Sequence, residues 1–318
     1  MKKFILRVTA VLLAVTALLY AGGLFYRQTN TWKNLERNEE TDKYRDVPEH
    51  ITFAVVGSSH GRDAFQRADY GEGFFNFSMS AQTPQYDLMQ LRQFSDRIDP
   101  GATVILTVGY SSPFWTDTEQ AFSDKQERYY RIFGPENIVD CDLGHWALGR
   151  FSPLLVTDAA DVMNGFFNAP ELREESDTLY GYQTLKAEDL ESERERIACG
   201  HVGVIKPAMP DGNPVMLAAY ADMIALCREK GWKPVMVTVP YPQVYTDCFS
   251  EESLEAFRAL TQKISAENGV PWLDYSQDAD FTENFDYFKN IDHFNIAGAK
   301  QFAEIIKPDL AELGLWQE

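Results

Sequence analysis

Short apolar runs alternate with amphipathic stretches through much of the chain, and that alternation limits the fold more than any other feature. Ile51 to Gly57 reads Ile-Thr-Phe-Ala-Val-Val-Gly, a buried strand stopped by glycine. Gly73 to Ser78, with Phe-Phe-Asn-Phe at its centre, predicts a second strand, and Ala102 to Val108 a third. Lys233 to Val239, stopped by Pro240, and Pro271 to Tyr275 predict the fourth and fifth. Helical patterns lie between them. Pro84 to Ile98 sets Leu88, Leu91, Phe94 and Ile98 at helical spacing, with Pro84 near its start. Pro214 to Lys230 carries Met216, Leu217, Tyr220, Met223, Ile224 and Cys227. Ser250-Glu-Glu-Ser caps a helix that runs to about Glu267, and Ile296 to Leu313 is a closing helix. Repetition of this kind predicts an α/β domain over residues 51–318, a parallel-sheet sandwich with both faces covered.

Residues 116–212 interrupt the alternation between the third strand and the next helix. They are first aromatic-rich (Tyr129, Tyr130, Phe133, Trp146, Phe151, Phe166, Phe167) and then strongly charged, as in Leu190-Glu-Ser-Glu-Arg-Glu-Arg196. This stretch is expected to form an inserted cap. At the other end, Val8 to Tyr26 contains no charged residue. At about 1.5 Å per residue it reaches roughly 28 Å, close to the hydrocarbon thickness of a bilayer. Residues 1–27 therefore read as a signal anchor that crosses the membrane through residues 8–26. A cleaved signal peptide is the rival reading, but Leu19-Tyr20-Ala21 matches a small-x-small cleavage site poorly. Lys2, Lys3 and Arg7 predict a single-pass protein of the plasma membrane with its N-terminus inside and the main domain extracytoplasmic. Arg27, Lys33 and Arg37 beyond the span weaken that asymmetry without reversing it. Polar residues 28–50 read as a stalk.

Charge removes one class of function. With 48 acidic against 29 basic residues the net charge is −19, and such a surface repels phosphate backbones, so no nucleic acid is expected as a partner. The four cysteines, Cys141, Cys199, Cys227 and Cys248, show no C-x-x-C spacing. Free thiols are the expectation, with one or two disulfides left open for a domain outside the cytoplasm. Neither H-E-x-x-H spacing nor a Gly-rich phosphate loop with its lysine occurs, so no metal and no cofactor are expected.

Two short stretches carry candidate chemistry. Gly57-Ser58-Ser59-His60-Gly61 sits where the first strand ends, and in open α/β sheets ligands bind outside the carboxyl ends of the strands. Ser59 is the candidate nucleophile; the other reading is a polar turn whose serine caps a helix. A serine hydroxyl needs an adjacent base, and histidine has the proton affinity for that role. Of His50, His60, His145, His201 and His293, only His293, in Asp292-His293-Phe294-Asn295, stands just before the closing helix at the same sheet edge. Its other reading is a surface histidine at a helix start. His60 is expected to contact substrate or to play a structural part. Tyr110, Trp115, Tyr241 and Tyr245 follow strand ends, where they either line a sugar-binding cleft or pack as a lid.

Taken together, these stretches resemble the SGNH/GDSL hydrolase family, above all its membrane-anchored bacterial branch near the alginate-acetylating and teichoic-acid D-alanylation proteins. The resemblance covers roughly residues 51–115 and 213–313. Val-Val-Gly57-Ser58-Ser59 is similar to the first block, usually Gly-Asp-Ser. Asn76-Phe-Ser-Met-Ser-Ala81 is similar to the second, which puts the family's oxyanion glycine on Ala81. Gly109-Tyr-Ser111-Ser112 stands in place of Gly-x-Asn-Asp, so Ser111 replaces the oxyanion asparagine. Asn290-Ile-Asp292-His293 stands in place of Asp-x-x-His, so the orienting acid falls on Asn290, with Asp292 or the more remote Asp286 as alternatives.

The resemblance implies an SGNH or flavodoxin-like fold and a serine hydrolase or acyltransferase acting on ester bonds. Ser59 would be the nucleophile and His293 the base, with Ser59, Ala81 and Ser111 at the oxyanion; His60, Tyr110 and Tyr241 are expected near the substrate from their places beside Ser59 and after the strand ends. It implies an esterase or O-acyltransferase for acylated cell-wall or exported glycans, with an acylated carbohydrate or small ester as ligand and a membrane acyltransferase as a partner. The alternative is a non-catalytic member that binds glycan or scaffolds an assembly.

Overall fold

In a computed structural model, the described residues are all but 116–125, 175–180, 182, 203–210 and 317–318, and the side chain of Cys199 is not described. Five strands form one parallel sheet: β1 (Ile51–Val56), β2 (Phe74–Asn76), β3 (Ile98–Thr107), β4 (Lys233–Thr238) and β5 (Trp272–Asp274). A two-stranded antiparallel ladder, β6 (Phe288–Asn290) with β7 (His293–Phe294), stands apart from it. The α-helices used below are α1 (Lys2–Tyr26), α2 (Asn30–Asn38), α3 (Ser59–Ala64), α4 (Pro84–Gln93) and α5 (Leu143–Phe151). They continue with α6 (Ala159–Phe167), α7 (Leu190–Gly200), α8 (Pro214–Lys230), α9 (Glu251–Asn268) and α10 (Ile296–Glu312).

All five predicted strands are present, and β1, β3 and β4 are buried over their carboxyl-terminal portions, the less buried positions lying near their starts. That burial explains why they read as continuous apolar runs and not as an alternation. The helix expected over 84–98 stops at Gln93, and a short 3-10 turn leads into β3 at Ile98, four residues earlier than the apolar pattern suggests. Pro100 accounts for part of this, because the residue before a proline is driven out of the helical region and into an extended one. Ser250 caps α9 by accepting from Ser253 N, as its sequence predicts.

The strand order is β2-β1-β3-β4-β5, so the chain builds outward from β1 in one direction and then in the other. A doubly wound sheet of this order opens a crevice between β1 and β3, at the carboxyl ends of the strands. Gly57 makes the exit from β1. Its φ is +143°, and a Cβ there would lie 1.6 Å from Thr107 Oγ1 at the end of β3. The same threonine lies against Gly61, where a Cβ would meet Oγ1 at 2.6 Å. Helix α3 thus starts hard against the end of β3, which only glycine at both positions allows.

The described chain divides into two compact units. One comprises Val47–Asp124 with Tyr180–Glu318 and holds the sheet; the other joins Met1–Asp46 to Lys125–Leu179. The expected insert at 116–212 is therefore shared between them. Its charged helix α7 belongs to the sheet unit, whereas α5 and α6 belong with the N-terminal residues. Helix α1 is long and apolar enough to cross a membrane, with a mean hydropathy of 2.2. The polar residues after it include α2, whose Asn34 Nδ2 donates to Glu171 O at 2.8 Å. Among the described cysteines, Cys141, Cys227 and Cys248 are free, and Cys227 is buried in α8.

Gly57→Ala is expected to lower stability by about 2–4 kcal/mol, since it adds an unfavourable φ to a direct clash. A thermal melt of the full chain should show a fall of several degrees, while Gly71→Ala, at a positive φ but with open space around it, should cost less.

Candidate active site

Ser59 opens α3 immediately after the turn at Gly57-Ser58. His293 opens β7, and the turn before it is held by one side chain. Asn290 Oδ1 accepts from His293 N at 2.9 Å, from Asp292 N at 3.3 Å and from His293 Nδ1 at 3.0 Å. This fixes the imidazole with its Nδ1–H turned inward. The opposite nitrogen, Nε2, lies 2.7 Å from Ser59 Oγ. The tautomer demanded by Asn290 leaves Nε2 as an acceptor, so the hydroxyl donates to it. The two residues expected to form a pair do so, 234 positions apart in the chain.

Behind the pair, α3 is also tied to β6, the strand that pairs with β7. Asp63, one turn along α3, is buried and meets Lys289 Nζ of β6 at 2.8 Å and Arg62 Nε at 2.7 Å. Burial works against ionisation of Asp63, but the charges of Arg62 and Lys289 outweigh it and hold the carboxyl below its ordinary value.

Asp292 is the most heavily partnered group in the site. Its side chain is fully buried, and Oδ1 lies 2.9 Å from His293 Nδ1. Arg196 Nη2 of α7 donates to the same oxygen. Oδ2 faces His60 Nε2 at 3.4 Å and His201 Nε2 at 3.8 Å. Burial opposes the charge on Asp292, yet the field and hydrogen bonds of His293, His60 and His201 hold it well below the usual carboxylate range. Of the three orienting candidates named from the sequence, Asn290 and Asp292 meet the imidazole, whereas Asp286 lies in the turn before β6, where its backbone carbonyl accepts from Asn295 Nδ2. Asn290 sets the direction of the ring and Asp292 supplies the charge beside it.

His60 and His201 are positioned from behind by tyrosines. Tyr241 Oη lies 3.0 Å from His60 Nδ1, and Tyr245 Oη lies 2.9 Å from His201 Nδ1. With the hydroxyls donating, each ring keeps its Nε2–H for Asp292. Burial lowers the proton affinity of both histidines, that of His201 to about 4, so both are neutral near neutral pH. Tyr110 packs on Tyr241 and Tyr245, with ring centroids 4.9 and 5.7 Å away. His60, Tyr110 and Tyr241, expected near the substrate, are all buried, and they form the wall behind Asp292.

The expected oxyanion groups follow three neighbouring strands: Ser59 after β1, Ala81 after β2 and Ser111 after β3. Ala81 adopts φ +49°, a left-handed conformation that glycine, its counterpart in the resembled motif, takes without strain. Met79 N and Gln82 Nε2, on either side of it, both donate to Gly57 O, at 3.1 and 3.2 Å. The Ala81 turn is thereby fastened to the turn that carries Ser59.

Sequence reasoning gave no role to Arg196, His201, Asp63 or Lys289. Arg196 lay inside a charged run that reads as a solvated face. The one available signal was Ile197, an apolar residue beside it that is fully buried. His60, Asp292 and His293 also place ligand-type atoms within 4.8 Å of one another, a cluster that spacing along the chain does not reveal. The donor set fits a divalent cation only in part, because a guanidinium already sits on Asp292 Oδ1.

No family model matches the chain, and no curated protein matches it.

The buried histidines predict how stability depends on pH. Between about pH 6.5 and 4 an unfolded histidine binds a proton that folded His201 refuses, so folding sheds a proton and stability falls as pH falls. His60 acts in the same direction. Asp292 has the carboxylate pattern, its contribution present above the ordinary carboxylate range and lost only as pH falls through its own lower value. Thermal melts between about pH 7.5 and 4.5 should show stability falling below about 6.5, by up to about 1.4 kcal/mol per pH unit for His201. His201→Gln should make that slope shallower.

Proposed function

We propose that this protein is an extracytoplasmic serine esterase or O-acyltransferase of the SGNH/GDSL type, anchored by α1. The observation that carries the reading is the 2.7 Å contact between Ser59 Oγ and His293 Nε2, on an imidazole whose other nitrogen faces Asn290 and Asp292. A hydroxyl hydrogen-bonded to an oriented imidazole is the arrangement an acyl-transfer nucleophile needs.

In this reading His293 takes the Ser59 proton as Oγ attacks an ester carbonyl. Charge on the carbonyl oxygen is met by the N–H groups of Ser59 and Ala81, with Ser111 beside them. The imidazolium forms next to ionised Asp292, which stabilises it, while Asn290 keeps the ring from turning. His293 then gives the proton to the leaving alcohol, and the acyl group on Ser59 passes to water or to a sugar hydroxyl. The work done by one aspartate in the resembled family is divided here between two residues. An exterior location makes acylated cell-wall or exported glycan the substrate class, and a membrane acyltransferase the class of donor partner.

The test is turnover of a nitrophenyl acetate with labelling by a fluorophosphonate. Ser59→Ala and His293→Ala should each lower kcat by about three decades or more, and Ser59→Ala should abolish labelling. Asp292→Asn should cost about 10²–10⁴-fold, whereas Asn290→Ala, which loosens orientation alone, should cost less. Absence of both turnover and labelling in the wild type would leave the non-catalytic, glycan-binding reading. Removal of divalent metals with a chelator should change turnover less than about two-fold, because Arg196 already supplies the positive charge at Asp292.

A further inference from the structure

Helix α1 is exposed on all sides up to Leu18, but from Leu19 one face is covered. Leu19, Gly22, Gly23 and Tyr26, at the i, i+3, i+4, i+7 spacing of a single helical stripe, turn toward residues 151–166. Ser152 Oγ donates to Leu19 O at 2.8 Å. Gly23 admits Ser152 so closely that a Cβ would fall 2.4 Å from its Oγ, and a Cβ on Gly22 would fall 3.0 Å from Leu154 Cδ1. Gly165 of α6 approaches the Tyr26 ring, where a Cβ would sit at 2.4 Å. Phe166 stacks on Phe25 with centroids 5.8 Å apart, and Phe151 meets Tyr20 at 5.7 Å. The other flank of α1 stays open, with Leu24 exposed, and Phe25 is itself only partly covered. Small residues that let a second segment lie directly on a helix backbone are the usual means of packing at membrane depth.

The docked segment carries an apolar surface of its own. Leu143, Leu148, Leu155, Met163, Phe167 and Leu172 are exposed. Among the described residues, the only other exposed large hydrophobics beyond α1 are Val215 and Leu313. Exposed apolar side chains are thus concentrated in the one segment that packs against the apolar helix. From Leu19 to Tyr26 is about 10 Å of helix, which matches the depth to which interfacial helices sink into the boundary of headgroups and acyl chains.

We propose that α5, α6 and the turn between them lie in the outer leaflet of the membrane, docked on α1, as a monotopic seat for the unit formed by residues 1–46 and 125–179. The occupant of the apolar surface is lipid, because the surface is continuous with the helix that enters the bilayer. This rests on the reading of α1 as a retained anchor. It also gives that reading a physical reason, since the stripe at 19, 22, 23 and 26 is shaped to a partner that a removed segment would never meet.

The experiment uses the full chain in vesicles whose phospholipids are brominated at shallow acyl carbons. The mass of the purified protein and its flotation with the vesicles report on the anchor. Phe167→Trp reports on the seat, read as fluorescence added over that of the six native tryptophans. The chain should keep residues 1–26 and float, and the added fluorescence should be quenched by about two-fold or more relative to unbrominated vesicles. Gly23→Leu placed in the Phe167→Trp chain should float as before and lose most of that quenching. A floating chain of full mass with no quenching at position 167 overturns the seat and leaves the anchor. Quenching that survives Gly23→Leu overturns the docking on α1. A chain that lacks residues 1–26 overturns the anchor reading and this inference with it.

Discussion

The site is organised around one ionised carboxylate that has been taken out of water. A lone buried carboxylate costs several kcal/mol and would sooner take up a proton. Asp292 keeps its charge because four elements meet around it: the β6–β7 turn that carries it, α3 with His60, α7 with Arg196, and the segment just after α7 with His201. Each of these partners is held in turn. Tyr241 and Tyr245 orient the two neutral histidines, and those tyrosines belong to an aromatic cluster with Tyr110, Phe249 and Phe257. The carboxylate therefore couples the Ser59–His293 pair to the packing of the core behind it.

What was legible in the sequence follows from the range of the interactions. Strands buried on the sheet and helices with one apolar stripe leave a local signature, so β1, β2, β4, β5 and helices α8 to α10 could be read at nearly their true limits, and β3 at its carboxyl end. Ser59 and His293 were legible because a parallel sheet sends the carboxyl ends of all its strands to one edge, so residues far apart in sequence arrive together. Arg196 was not legible. In the run Glu191-Ser-Glu-Arg-Glu-Arg196 it looks like every other charge on a wet helix, and its partner lies 96 residues away. His201 and Lys289 went unread for the same reason, since a long-range ion pair imposes no periodicity on either segment.

The departures from the resembled motif are instructive in detail. Ala81 has the left-handed backbone that a glycine takes readily, at φ +49°, so the departure from the motif lies in the side chain and not in the turn. Asn290 cannot carry the charge of an acid, yet its oxygen closes the turn with three N–H donors and so places Asp292 within 2.9 Å of the same imidazole. Against the resembled motif both positions are departures. In three dimensions one has the backbone shape that glycine favours, and beside the other the charge sits two residues along, on Asp292.

The Asp63–Lys289 pair has a consequence of a different kind. It braces α3 against β6 independently of the Ser59 hydroxyl; Asp63 is buried and Lys289 only partly exposed, so solvent screens the pair less than it would at the surface. The gap between Ser59 and His293 is thus set by a strut, and the hydrogen bond across the gap is a reporter of it. On the proposed acyl-transfer reading, a chain stripped of the hydroxyl keeps its base, its wall of histidines and its oxyanion turn where they are. Such a chain would be a snare: it would hold an acyl donor it has no means of consuming, and so bring its own ligand out of a mixture.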